Sequence, residues 1–162
     1  MKSAHEPSHD HPFRTFPGEL LWFWKTDNSL KLTLVLWQIL NRGLLVPAHL
    51  HYRCSDISEN CPSCGFPKED EDHVFIHCST LYNFWTLRRT LAWLEECIPR
   101  VNFIHTLNYI KRTKGVTLPL MTKFLFCIWS LWKSRNDLVF KNKEKNLSVI
   151  FDRAMYSNLK WK

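Results

Sequence analysis

CPSCGFPKEDEDHVFIHC, residues 61–78, is the stretch that decides how this chain reads. Its spacing is C-x2-C-x8-H-x4-C. Two cysteines separated by two residues can curl round one ion in a turn whose amides hydrogen-bond the thiolates, and Gly65 supplies the backbone freedom such a knuckle needs. Zinc takes four ligands in a tetrahedron, and the second pair here comes from the start of the following helix. The candidate ligands are Cys61, Cys64, His73 and Cys78, holding one Zn2+. Four protein ligands leave no open coordination position, which makes the site structural.

Two rivals compete for the fourth position. His77 lies one helical turn from His73 and would give a C2H2 site, and Cys54 lies seven residues before Cys61. A thiolate is the stronger ligand, which favours Cys78, and Cys54 reads as a buried spare or as a residue that supports the ligands from behind. A redox-active C-x-x-C would open a helix in a βαβ setting that this sequence lacks. Glu69, Asp70, Glu71 and Asp72 precede His73 where a helix N-terminus favours negative charge, so they read as caps and not as ligands.

Upstream of the cysteines, Asp27, Asn28 and Ser29 offer caps to an apolar helix over Leu30 to Leu40 closed by Gly43. Pro47 opens a short helix in PAHLHYR, and residues 54–72 form a long loop. From His73 a helical period runs through Val74, Phe75, Cys78, Leu81, Tyr82, Trp85, Leu87, Leu91 and Leu94, ended by Cys97 and Pro99. Val101, Ile104, Leu107 and Ile110 mark a short amphipathic helix. After a break at Gly115, Pro119 opens the longest apolar helix, to about Phe140. A last helix spans Leu147 to about Leu159, with Asn146 or Ser148 as its cap, and KNKEKN, residues 141–146, reads as a solvated loop.

The expected organisation is a mobile lead-in (1–18), a zinc-binding helical domain (19–95) and a basic helical C-terminal region (96–162). With 45% apolar residues, 8 Trp and 11 Phe among 162, the chain can bury a core. Only 4 glycines disfavour turn-rich β architectures. The fold class is therefore mainly α, a small helical domain stapled by a CCHC zinc knuckle. Helical spacing places Trp37, Trp85, Trp129 and Trp132 in that core, in preference to stacking on bases. A polar N-terminus without an apolar leader points inside the cell, the nucleus included, and no run reaches the roughly 18 apolar residues of a membrane span.

The net charge of +7 is unevenly placed. Residues 1–110 carry 10 basic and 12 acidic side chains, 10 − 12 = −2, and residues 111–162 carry 12 and 3, 12 − 3 = +9. The sequence holds no H-E-x-x-H, G-x-S-x-G, P-loop or dinucleotide glycine pattern, and its seven aspartates show no paired-metal arrangement, which argues against an enzyme.

With the knuckle in place, KLTLVLWQILNRGLL, LHYRCSDISENCPSCGFPKEDEDHVFIHC and Trp85, seven residues past the last cysteine, resemble the reverse-transcriptase zinc-binding domain of plant LINE-type retrotransposon polyproteins. Cys61, Cys64, His73 and Cys78 match that family's ligand positions. Lys2-Ser3-Ala4 looks like the start of its N-terminal helix, and IWSLWKSRNDLVF, residues 128–140, looks like its W-x-x-RN-x-x-x-F segment. The resemblance implies a place downstream of a polymerase, with Trp161-Lys162 falling about where a ribonuclease-H domain begins.

The leading expectation is a zinc-stabilised, non-catalytic module that contacts RNA or DNA, with Lys111, Arg112, Lys114, Lys133, Arg135, Lys141, Lys143 and Lys145 on phosphate. Arg135 and Asn136 read more readily as a bond network on the helix surface than as base readers. The alternatives are a zinc-stapled scaffold docking onto a polymerase or another protein, and a retroelement remnant without a selected function.

Overall fold

The computed structural model describes residues 30–51, 53–86, 102–112, 118–144 and 146–160. The lead-in, the caps at 27–29, the helical period beyond Thr86, Val101, the break at Gly115 and the terminal Trp161-Lys162 lie outside the described residues.

Helix α1 spans Leu30–Leu40 and buries Leu32, Val35, Leu36, Ile39 and Leu40, the spacing of a single apolar face. It ends in a Schellman motif: the Arg42 amide donates to Ile39 O (3.2 Å) and the Gly43 amide to Gln38 O (2.7 Å). The left-handed residue is Arg42 (φ 51°), one position before the expected Gly43. Pro47 opens α2, Pro47–Leu50, where its missing N–H removes no helical bond.

The long loop follows, and after it the expected continuous helix from His73 does not form. His73–His77 winds as a π turn, Cys78 is extended (φ −61°, ψ 123°), and Ser79–Leu81 makes one 3-10 turn before α3, Tyr82–Thr86. The remaining helices are α4 (Phe103–Arg112), α5 (Leu118–Lys141) and α6 (Leu147–Lys160). Asn102 caps α4 by accepting from the His105 amide at 2.9 Å. Asn146 caps α6 in the same way, accepting from the Val149 amide at 3.2 Å. No strand occurs among the described residues, and none of their helices is long and apolar enough to cross a membrane.

One hydrophobic cluster runs from Leu32 on α1 through Cys61, Phe75 and Trp85 to Phe124 on α5 and Ala154 on α6. Helix α5 packs against α1, α6 and the π turn. Aromatic contacts carry the core across these elements, with Phe75 against Phe103 (5.7 Å), Trp85 against Phe124 (5.7 Å) and Phe84 against Phe151 (6.0 Å). Trp85 is buried and Trp129 and Trp132 pack partly buried against the cluster, but Trp37 is 43% exposed, on the face of α1 turned from the core. Burial pushes the Cys127 thiol, enclosed in α5, far above its ordinary range, and it is an inert core residue.

Candidate metal centre

The first ligand pair sits on a knuckle built by three features. The Gly65 amide donates to Cys61 O (2.9 Å), the Cys61 amide donates to Phe66 O (2.8 Å), and Gly65 turns the chain at φ 75°. The Ser63 amide points at the Cys61 sulfur, 3.4 Å away, as a thiolate-holding turn requires.

The second pair is brought in by the π turn. The Cys78 amide donates to His73 O at 2.9 Å, five residues back, and Cys78 then turns extended. Asp70 fixes the start of this turn, its Oδ1 accepting from the His73 amide at 2.9 Å. Phe66 stacks on the His73 ring at 4.8 Å and 12°, holding its orientation.

The four donor atoms of Cys61, Cys64, His73 and Cys78 lie within 4.8 Å of one another. A tetrahedral zinc with Zn–S near 2.3 Å holds its sulfurs about 3.8 Å apart. Cys61 Sγ and Cys78 Sγ are 3.9 Å apart, and Cys64 Sγ and His73 Nε2 are 3.2 Å apart. His77 is exposed and outside the cluster. Cys54 is also outside it and exposed, which corrects the expectation that it is buried: it lies on the long loop, away from the knuckle turn.

The electrostatics ask for a cation. Hydrogen bonding with Cys61 lowers the Cys78 thiol to about 7, assisted by Thr80, whose Oγ1 is 3.1 Å from the sulfur. The same bond, with burial, pushes Cys61 up to about 11. Two sulfurs this close cannot both ionise readily without a positive charge between them, and a divalent ion supplies it. Burial alone would lower His73, but hydrogen bonds to Cys61 and Cys64 outweigh it and raise its pKa. Three thiols and one imidazole suit zinc, and four protein donors fill a tetrahedral shell.

The four acids before His73 do not act as one capping group. Glu69 is buried and bound to Arg135, with Arg135 Nη2 2.6 Å from Glu69 Oε2. Asp70 caps the π turn. Glu71 lies 3.3 Å from His49 Nδ1, and burial, its largest influence, raises its pKa. Asp72 Oδ1 accepts from the Phe103 amide at 2.6 Å, at the first residue of α4.

Of the cations expected on phosphate, Arg112, Lys133, Lys141 and Lys143 are exposed. Lys111 is on α4, and Lys114 and Lys145 lie outside the described residues. Arg135 is turned inward: its guanidinium is taken by Glu69 and by Asn136 Oδ1 (3.2 Å), so its bond network is buried and not on the surface. A signal for this existed in the sequence, since Arg135 continues the buried stripe Phe124, Ile128, Leu131 at helical spacing.

A closed Cys3His centre in a helical shell defines a zinc-stapled module, and the protein carries one structural zinc ion. A family model described as zinc-binding in reverse transcriptase matches residues 2–85, and the chain belongs to that family. The matched region contains all four residues of the cluster and ends at Trp85. No curated protein and no solved structure matches the chain.

Proposed function

We propose that this zinc-binding module is non-catalytic and contacts RNA or DNA through the basic surface of its C-terminal third. The observation that carries the reading is a cluster of three lysines round one carboxylate where α5 ends. Asp137 is held below its usual carboxylate range, first by the hydrogen bond from Lys141 (2.6 Å) and then by the fields of Lys143 and Lys133. Three exposed ammonium groups against Asp137 and the neighbouring Glu144 leave a net positive patch suited to phosphate. The finer origin, a LINE-type element with the module between polymerase and ribonuclease-H regions, rests on the W-x-x-RN segment and the knuckle together.

Fluorescence anisotropy with labelled single-stranded and duplex RNA and DNA, taken across a salt series, tests this reading. Affinity should fall with salt, and replacing Lys133, Lys141 and Lys143 together by Gln should reduce the log–log slope by roughly two to three. Absence of any salt-dependent affinity overturns it.

A second reading, a scaffold that docks on a polymerase or another protein, is favoured by the outer face of α1. Leu30, Leu34 and Trp37 stand exposed there at i, i+4 and i+7. Binding to a protein partner that survives high salt and is lost on Leu34→Glu would favour it.

A further inference from the structure

We propose that Arg135, on α5, is a positioning residue of the zinc centre, and that the zinc-binding unit of this chain therefore extends through the C-terminal helices, past the family match that ends at Trp85.

Glu69 sits on the loop joining the two ligand pairs, five residues after Cys64 and four before His73. Its backbone is held on both sides: its amide donates to Glu59 O (2.8 Å) and its carbonyl accepts from the Ala48 amide (3.2 Å). Its carboxylate reaches Arg135, 66 positions along the chain, with Nη2 at 2.6 Å and Nε at 3.2 Å from Oε2. The two side chains are 1% and 4% exposed. A carboxylate taken so far out of water needs a partner that fills its acceptor sites, and the planar guanidinium fork does so.

A second contact joins the same helix to the same loop. The Arg135 guanidinium lies over the Trp132 ring (5.4 Å), and Trp132 meets Phe75, in the π turn between the last two ligands, at 6.4 Å. Helix α5 thus grips the ligand-bearing segment at Glu69, before His73, and at Phe75, between His73 and Cys78. The pair that spaces the knuckle from the π turn is completed by a residue that the knuckle itself does not contain.

Transfer of zinc from the full chain to a chromogenic chelator measures the grip. Arg135→Met leaves Glu69 buried without its partner, and zinc should be lost faster, toward the roughly 10- to 100-fold effects seen when groups that hold metal ligands are removed. Arg153→Met, an exposed site on α6, should match the unmodified chain. The double variant Glu69→Gln/Arg135→Met should release zinc more slowly than Arg135→Met, because no carboxylate is left unpaired. Hydrogen exchange on the unmodified chain keeps the test open should Arg135→Met fail to fold: chelation should strip protection from α5 around residues 128–138 as well as from the ligand loop. Zinc release from Arg135→Met at the unmodified rate, a double variant that releases no more slowly than Arg135→Met, or exchange gains confined to residues 54–85, would overturn the proposal. A chain that carries no zinc from the outset would instead fail the metal assignment.

Discussion

The Cys78 amide donates to the His73 carbonyl across five residues where an α-helix would span four. In a regular helix His77 would lie about 40° round the axis from His73 and Cys78 about 140°. Winding the turn one residue wider brings Cys78 back toward the side of His73, and its extended backbone then aims it at the cluster. Cys78 comes to the metal cluster, and His77 is left in solvent.

The choice between His77 and Cys78 can therefore be read by substitution. His77→Ala should keep about one zinc per chain after passage over a chelating resin, and Cys78→Ser should lose most of it, because three donors no longer close the tetrahedron. Metal content by atomic emission decides. Equal loss from both variants would mean that the turn rewinds and both residues serve.

Zinc affinity should rise with pH, and the thiol environments give the shape. With Cys61 near 11, the metal-free site carries a proton there throughout the neutral range, and zinc must displace it. Cys78, near 7, adds a further proton when the pH falls below that value, and His73, whose pKa its bonds to Cys61 and Cys64 raise, takes up another as the pH falls. The apparent affinity should drop roughly tenfold per pH unit for each displaced proton, so the fall steepens below about pH 7. Chelator competition from pH 6 to 9 measures the slope, and a flat profile would contradict these assignments.

Gly65 is needed for its backbone and not for space. At φ 75° a side chain is strained, yet a Cβ built there meets nothing within 4 Å. Gly65→Ala should cost about 1 to 2 kcal/mol, and Gly65→Asn less, because Asn tolerates the left-handed region. Thermal melts of the zinc-loaded chains should show a fall of a few degrees in Tm for Ala. An unchanged melt would mean that the knuckle relaxes without penalty.

Local signals made part of this molecule legible. The bounds of α1, the proline opening of α2, the Asn146 cap and the gathering of Cys61, Cys64, His73 and Cys78 all follow from neighbours within a few residues. The π turn was hidden because Val74, Phe75, Leu81 and Trp85 hold an approximately helical period while the ligands demand a different winding between them. Arg42 in place of Gly43 as the left-handed residue is a one-position slip of the kind that helix ends allow. Glu69 and Arg135 lie 66 positions apart, and nothing near Glu69 distinguishes it from the three acids that follow. Only the place of Arg135 on the apolar stripe of α5 marks one member as buried, and it does not say what the partner is.

Trp85 closes the turn that Cys78 interrupts. The chain leaves the π winding at Cys78, so no further helical turn follows to take up the Phe75 carbonyl, and the Trp85 indole N–H donates to it at 3.0 Å inside the core. Trp85→Phe keeps an aromatic ring against Phe124 but removes that donor. A buried carbonyl left unpaired costs about 1 to 3 kcal/mol, so the zinc-loaded variant should unfold at lower denaturant with an unchanged m-value. Its zinc content should stay near one per chain, since no ligand has been touched, although metal loss on heating should begin earlier. Denaturant titration alongside metal analysis separates the two effects. A Trp85→Phe chain as stable as the original would show that the indole contributes only its bulk.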